Sequence, residues 1–286
     1  MALARELFGV SFQNPVVLAA GTAGYGRELA GVMDLERLGG IICKSVSLEP
    51  RAGNRPPRVA EMPHGMLNSV GLANPGLASV ASRELPAICR SLTRCRVLVN
   101  VVGFTIAEYA AVVRGLEPVD GIVGYELNLS CPNSSAGGIE FGMDPDAVSK
   151  VVVRARMETR RALIVKLSPA LSEIAAMADV AKAAGADAIS VVNTLPAALY
   201  HGPVGTSRLG QGQGGVSGPP LREAALQAVR QVQQRTGLPV IATGGVRSVA
   251  DVQDFLAAGA SLVGIGTAAM ADPRLPERLV RRLEAA

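Results

Sequence analysis

Leu163-Ile164-Val165-Lys166-Leu167-Ser168-Pro169 opens a stretch that closes on Ala188-Ile189-Ser190-Val191-Val192-Asn193-Thr194. Both ends are short apolar runs of strand length that give way to a polar turn. Between them, Leu171 to Ala184 has helix-compatible spacing and stops at Gly185, a residue that readily ends helices. A strand, a helix and a second strand within roughly thirty residues form a βαβ unit, whose strands lie parallel.

The same alternation recurs in both directions from this unit. Strand-length runs fall at Val16 to Ala20, Ile41 to Lys44, Val97 to Val101, Val123 to Leu129, Leu163 to Leu167, Ala188 to Val192, Val240 to Thr243 and Leu262 to Gly266. Further helix-compatible stretches lie at Asp146 to Thr159, Leu221 to Arg235 and Val249 to Ala258. Eight such units predict a (β/α)8 TIM barrel, an α/β domain spanning 1–286. An open, doubly wound sheet is the alternative, but it usually carries G-x-G-x-x-G after its first strand. Gly21-Thr22-Ala23-Gly24-Tyr25-Gly26 has a different spacing. Two intervals are longer than connectors need to be: Ser45 to about Ser79, and Thr194 to Pro220. Each follows a strand, so both are inserted loops at the carboxyl-end face and candidate lids over a ligand.

Composition narrows the function. Hydrophobic residues make up 49% of 286, ample for a core, yet no uninterrupted apolar run is long enough to span a membrane. The amino terminus lacks the basic and apolar segments of a signal peptide, so the expected location is cytoplasmic. The four cysteines, Cys43, Cys89, Cys95 and Cys131, have neither C-x-x-C nor zinc-type spacing, which predicts free thiols and no metal. The net charge of +4 comes from scattered basic residues, and aromatics are 3%, so nucleic acid is a poor candidate partner.

Chemistry concentrates at strand ends. Asn128-Leu129-Ser130-Cys131-Pro132-Asn133 brings an apolar run to a proline-broken turn, delivering a thiol flanked by two amides. A buried structural cysteine beside turn asparagines would read similarly. Of the four lysines, Lys44 and Lys166 end strand-like runs, where an idle charge would be costly, although a lysine can also snorkel at a barrel rim. Such a lysine can neutralise an anion, form a Schiff base or stabilise a reduced flavin. Thr243-Gly244-Gly245 and Gly264-Ile265-Gly266-Thr267 close the last two strands, where barrels usually bind phosphate. Asn68, Asn100, Asn128, Asn133 and Asn193 lie at strand ends or in the first insertion. Together with the lysines they suit a planar, carbonyl-rich anion. His64 and His201 have no partner spacing that recommends them for catalysis.

These residues resemble the class 1 dihydroorotate dehydrogenases through nearly the whole chain. The similar stretches include Lys44-Ser45, Glu49-Pro50-Arg51-Ala52-Gly53-Asn54, Gly65-Met66-Leu67-Asn68, Gly71-Leu72-Ala73-Asn74-Pro75-Gly76, the Asn128 to Asn133 turn, Val165-Lys166-Leu167-Ser168-Pro169 and Gly214-Gly215-Val216-Ser217-Gly218-Pro219. Cysteine in the catalytic turn is similar to class 1 rather than to the membrane-linked class 2. The Asn-Pro-Gly wording and Gly137-Gly138-Ile139-Glu140-Phe141-Gly142 resemble subclass 1B. The chain departs from the pattern at Val102, Ala170 and Thr194 to Gly212.

The resemblance implies oxidation of dihydroorotate to orotate in pyrimidine (UMP) biosynthesis, with FMN at the barrel mouth. Its phosphate would rest on Gly244, Gly245, Gly266 and Thr267. Its ring would lie near Ala20, Gly21, Lys44, Ser45, Asn100, Asn128, Lys166, Val192 and Gly218. Dihydroorotate would be held by Lys44, Asn68, Asn128, Asn133, Asn193 and Thr194, with backbone from Val70, Gly71 and Leu72. Cys131 would be the base. Subclass 1B members are similar in forming a homodimer core joined to a subunit with FAD and an iron-sulfur cluster, a heterotetramer that passes electrons to NAD. A fumarate-using class 1A enzyme and a dihydropyrimidine dehydrogenase-like subunit are the alternatives. A transfer RNA-modifying flavin barrel and an idle scaffold fit the residues less well.

Overall fold

A computed structural model describes residues 3–129, 140–201 and 205–285. Eight parallel strands close into a barrel in sequence order: Val16–Leu18, Gly40–Val46, Arg96–Val101, Ile122–Asn128, Ala162–Leu167, Ala188–Val191, Val240–Thr243 and Leu262–Ile265. The last pairs with the first through Val263 opposite Val16 and Ile265 opposite Leu18. All eight apolar runs are therefore strands, and the open-sheet alternative is excluded by this closure.

Side chains alternate inward and outward along each strand. Val17, Ile42, Leu98, Ile164, Ala188, Ile241 and Leu262 form one buried interior cluster. Their sequence neighbours Leu18, Ile41, Val97, Val99, Val165, Ile189, Ala242 and Val263 belong to a larger cluster shared with the surrounding helices. A hairpin, Arg5–Leu7 with Val10–Phe12, adds Phe12 to the interior cluster and so covers its apolar end.

The helices end where local chemistry requires. Thr105 accepts a hydrogen bond from Glu108 N to start Ile106–Leu116, and Glu108 answers by accepting from Phe104 N, a reciprocal cap. Asp144 caps Pro145–Arg156, whose first residue is a proline with no N–H to satisfy. Gly185 follows Ile174–Ala183 at φ 106°, and Gly237 ends Arg222–Thr236 at φ 65°. Pro145–Arg156, Ile174–Ala183, Arg222–Thr236 and Val249–Ala257 lie within a few residues of the predicted stretches, whereas Ile106–Leu116 was not among them.

The two long insertions are more ordered than separate lids. Val59–Met62 and Gly65–Asn68 from the first pair with Gly214–Ser217 and Leu195–Ala197 from the second in one four-stranded antiparallel sheet. Its small core is Ala60, Leu67 and Leu209. Among the described residues no helix is long and apolar enough to cross a membrane.

Candidate active site

Two residues beyond the apolar interior layer, the inward-facing set changes character. The same strands now present Lys44, Asn100, Lys166, Ser190 and Thr243, and Glu126 follows the inward Gly124. Asn100, Glu126 and Ser190 are fully buried, and Lys166 is nearly so. Ser45 Oγ donates to Asn100 Oδ1 at 2.6 Å, Asn100 Nδ2 donates to Glu126 Oε1 at 2.6 Å, and Lys166 Nζ lies 3.5 Å from the same oxygen. Glu126 Oε2 and Ser190 Oγ are the buried side-chain atoms without a hydrogen-bond partner among the described residues.

Above this polar floor opens a cavity of about 580 Å³. Both strand-end lysines reach it. Their surroundings differ: the lysine ion pairs among the described residues are those of Lys166 with Glu126 and Lys150 with Asp146. Lys44 therefore presents its charge to the cavity, whereas Lys166 shares its charge with a carboxylate beneath.

One wall is a glycine cradle. Gly218, Gly244 and Gly245 have φ of 90°, 127° and 81°, and all three line the cavity with Gly266 and Thr267. A Cβ on Gly244 would meet Ala225 Cβ at 2.9 Å, and one on Gly245 would meet Arg222 Cβ at 2.8 Å. The backbone here thus packs against Ala225 and Arg222 more closely than any side chain permits. Arg222 does not serve the cavity: it bonds Asp251 at 2.6 Å and Glu223 at 2.7 Å, and also pairs with Asp254. Burial alone would raise the Asp251 carboxyl, but hydrogen bonds from Ser248, Arg222 and Arg247 N outweigh it and lower its pKa. Thr267 Oγ1 donates to Ser217 Oγ at 2.8 Å, tying the cradle to the added sheet.

The opposite wall carries the amides. Asn193 Nδ2 donates to Asn128 Oδ1 at 3.2 Å, and Asn193 Oδ1 accepts from Thr194 N at 2.8 Å. Asn68 Nδ2 reaches Gly215 O at 3.3 Å across the added sheet. Val70, Gly71 and Leu72 complete this side. Glu140 also lines the cavity, and burial raises its carboxyl above the ordinary range.

Cys131 and Asn133 lie outside the described residues. The chain on either side of them is pinned: Tyr109 OH donates to Asn128 O at 2.7 Å, and Gly142 N donates to Leu129 O at 2.8 Å. Tyr109 also packs edge-on against Phe141 at 5.5 Å. Burial disfavours the thiolate form of the other three cysteines. Burial pushes Cys89 up to about 11 and Cys43 and Cys95 higher still.

The described candidate residues line the cavity with one exception. Ala20, Gly21, Ser45, Val192 and Thr194 join those already placed. Asn100 does not line it; its amide is committed to Ser45 and Glu126 below the floor. Glu126, Ser190, Glu140 and Ser217 belong to the site without any motif that marks them. Alternation through Gly124 and Ala188 is the signal that turns Glu126 and Ser190 inward. His64 is exposed in the turn between two added strands.

Fold and site together define a (β/α)8 barrel whose strand ends open into one glycine- and amide-lined cavity over buried charge. The family model for dihydroorotate dehydrogenase matches residues 2–286. The chain is 44% identical to a putative dihydroorotate dehydrogenase A (fumarate) of Solibacter usitatus, over 98% of this chain and 92% of that protein. It is 41% identical to the dihydroorotate dehydrogenase B (NAD+) catalytic subunit of Geotalea daltonii, over 99% of this chain and 92% of that one. A crystal structure of the Eimeria tenella enzyme in complex with ferulenol superposes with a TM-score of 0.83 at 24% identity, over 99% of this chain and 83% of that one, and shows the shared fold.

The chain belongs to the dihydroorotate dehydrogenase family, a family of flavin-dependent oxidoreductases. Several relatives carry the B-type catalytic-subunit name, in accord with the subclass that the sequence motifs resemble.

Proposed function

We propose that this chain, one FMN-binding domain, oxidises (S)-dihydroorotate to orotate with Cys131 as base, and that the electrons pass to NAD through a partner subunit. The observation that supports it best is the convergence of the glycine cradle, both lysines and the Asn128–Asn193 amide pair on one cavity. The donor set fits FMN: a phosphate would meet backbone N–H groups of Gly244, Gly245 and Gly266, and the ring would lie above the Lys166 floor. When bound, FMN would supply the hydride acceptor for the hydrogen that leaves C6 of dihydroorotate. The chain's own residues do the rest.

Lys44, which has no ion-pair partner among the described residues, supplies its positive charge for the substrate carboxylate. Asn68, Asn128 and Asn193, with Asn133, donate to and accept from the ring's amide edges, fixing which face meets the flavin. The Cys131 thiolate takes the proton from C5 as the C5–C6 double bond forms. A free cysteine is only slightly ionised at neutral pH, and a nearby ammonium raises that fraction.

The partner assignment rests on relatives named as the catalytic subunit of an NAD-linked enzyme, and subclass resemblance suggests FAD, an iron-sulfur cluster and a heterotetramer. The fumarate-named relative supports a second reading, in which the isolated chain uses fumarate directly.

The test is the visible spectrum of the purified chain, recorded anaerobically before and after dihydroorotate, with dihydrouracil as control. An FMN spectrum that bleaches with dihydroorotate alone is expected. Bleaching by dihydrouracil would overturn the carboxylate assignment, and turnover with fumarate but no partner would favour the second reading. Cys131→Ser should slow the bleaching by at least about a hundredfold, the usual lower worth of a positioned base; near-normal bleaching removes Cys131 from that role.

A further inference from the structure

Glu126 occupies a position that the proposed reaction does not use. It is fully buried, on the central part of the fourth barrel strand, beneath the cavity rather than in it. A buried carboxylate is retained only with compensation, and the two groups that compensate this one both bear on the ligand floor. Asn100 Nδ2 donates to Oε1 at 2.6 Å, and that bond fixes the amide so that Oδ1 faces Ser45. Lys166 Nζ stands 3.5 Å from Oε1, and it is the cation within ion-pair distance of Glu126 among the described residues. Among the described residues Oε2 accepts no hydrogen bond, so the carboxylate depends heavily on that one ammonium.

We infer that Glu126 is a positioning residue for Lys166, holding the ammonium under the flavin ring and partly neutralising it, and thereby setting the flavin's reduction potential. The inference rests on the flavin reading above. A reduced flavin gains negative charge, which an ammonium below the ring stabilises. A carboxylate on the ammonium's other side weakens that stabilisation, makes the reduced form a better electron donor and favours passing electrons on. In a buried site the separation between such charges is short and the screening weak, so removing the carboxylate charge matters.

The experiment is the midpoint potential of the flavin bound to wild type, Glu126→Gln, Lys166→Met and the double variant. Glu126→Gln keeps a hydrogen-bonding oxygen for Asn100 and removes only the charge. Its potential should rise, with the reduced flavin bound on the order of tenfold more tightly relative to the oxidised form than in wild type. In the Lys166→Met background the same substitution should produce no comparable rise, because Glu126 acts through Lys166. Glu126→Asp, which keeps the charge, should restore a potential nearer to wild type. An unchanged potential in Glu126→Gln, or an equal rise in both backgrounds, would overturn the inference while leaving the flavin reading intact. A wild-type chain that takes up no flavin would overturn both.

A second measurement needs no flavin and covers the case in which Glu126→Gln alone fails to fold. In thermal melts of the apoprotein, adding Glu126→Gln to Lys166→Met should raise Tm, because it removes a buried carboxylate left without its cation. A Tm that falls instead would show that the two are not coupled.

Discussion

Glycine at 244 and 245 and glutamate at 126 show how differently single residues announce themselves. The paired glycines were visible because the requirement they meet is local: a backbone at φ 127° and 81°, with no room for a Cβ, at the end of a strand. Glu126 carries no local mark. In a run of apolar residues it resembles an ordinary strand position until the alternation from Gly124 turns it toward Lys166 of the next strand. Asn100 misled for the same reason, since adjacency to a strand end does not reveal that its amide is already taken. The glycine reading has a direct test. Gly245→Ala places a methyl group 2.8 Å from Arg222 Cβ and 3.1 Å from its Cα, and forces alanine to a positive φ. The strain amounts to about 1–3 kcal/mol. If the cradle binds phosphate, that strain should appear as a roughly 5- to 150-fold weaker Kd for FMN in a fluorescence titration of the apoprotein. A lower Tm with unchanged affinity would mean that the glycine serves the turn alone.

At the scale of elements, barrel strands were legible and the added sheet was not. A parallel strand buried on both faces is a continuous apolar run such as Leu163 to Leu167, readable without its neighbours. Gly65–Asn68 and Gly214–Ser217 are short, contain glycine and polar residues, and become strands only by pairing across about 150 residues of chain, a long-range contact no local pattern encodes. One short element has a similarly remote partner. Glu36, in the single helical turn Leu35–Arg37, accepts from Thr93 N at 2.5 Å, Arg94 N at 2.8 Å and Cys95 N at 3.2 Å, just ahead of the third barrel strand. Burial would raise its carboxyl, but these donors outweigh it and lower the pKa. A carboxyl lowered in the folded state stabilises fully above its unfolded value of about 4.3, and that contribution is lost as pH falls through the lower folded value. Glu36→Gln should therefore cost about 1–3 kcal/mol near neutrality. The deficit should shrink in acid, as wild type loses the same contribution. Thermal melts from pH 7 to pH 3 check this; a deficit constant across the range would show that packing rather than charge is responsible.

For the whole molecule, the interior is divided along the barrel axis, and the division separates stability from function. One end is closed by Phe12 against Val17, Ile42, Leu98, Ile164, Ala188, Ile241 and Leu262, a layer in which burial alone supplies the driving force. The other end exposes buried charge and glycine to a cavity, covered by a sheet whose own core is Ala60, Leu67 and Leu209. A cluster so small cannot match the barrel's cohesion, so the sheet is the part expected to open first. It also carries ligand groups: Asn68 ends one of its strands, Val70 to Leu72 follow, and Ser217 accepts from Thr267 beside the cradle. Leu67 is almost wholly buried, so Leu67→Ala removes apolar contact worth about 2–5 kcal/mol. If the two regions unfold separately, that loss falls on the sheet. Hydrogen exchange should then accelerate at 59–68 and 214–217 while 162–167 and 188–191 keep their protection, and dihydroorotate should bind more weakly with global Tm little changed. Equal loss of protection in sheet and barrel would show a single cooperative unit, in which the cover could not open over a ligand without loosening the scaffold beneath it.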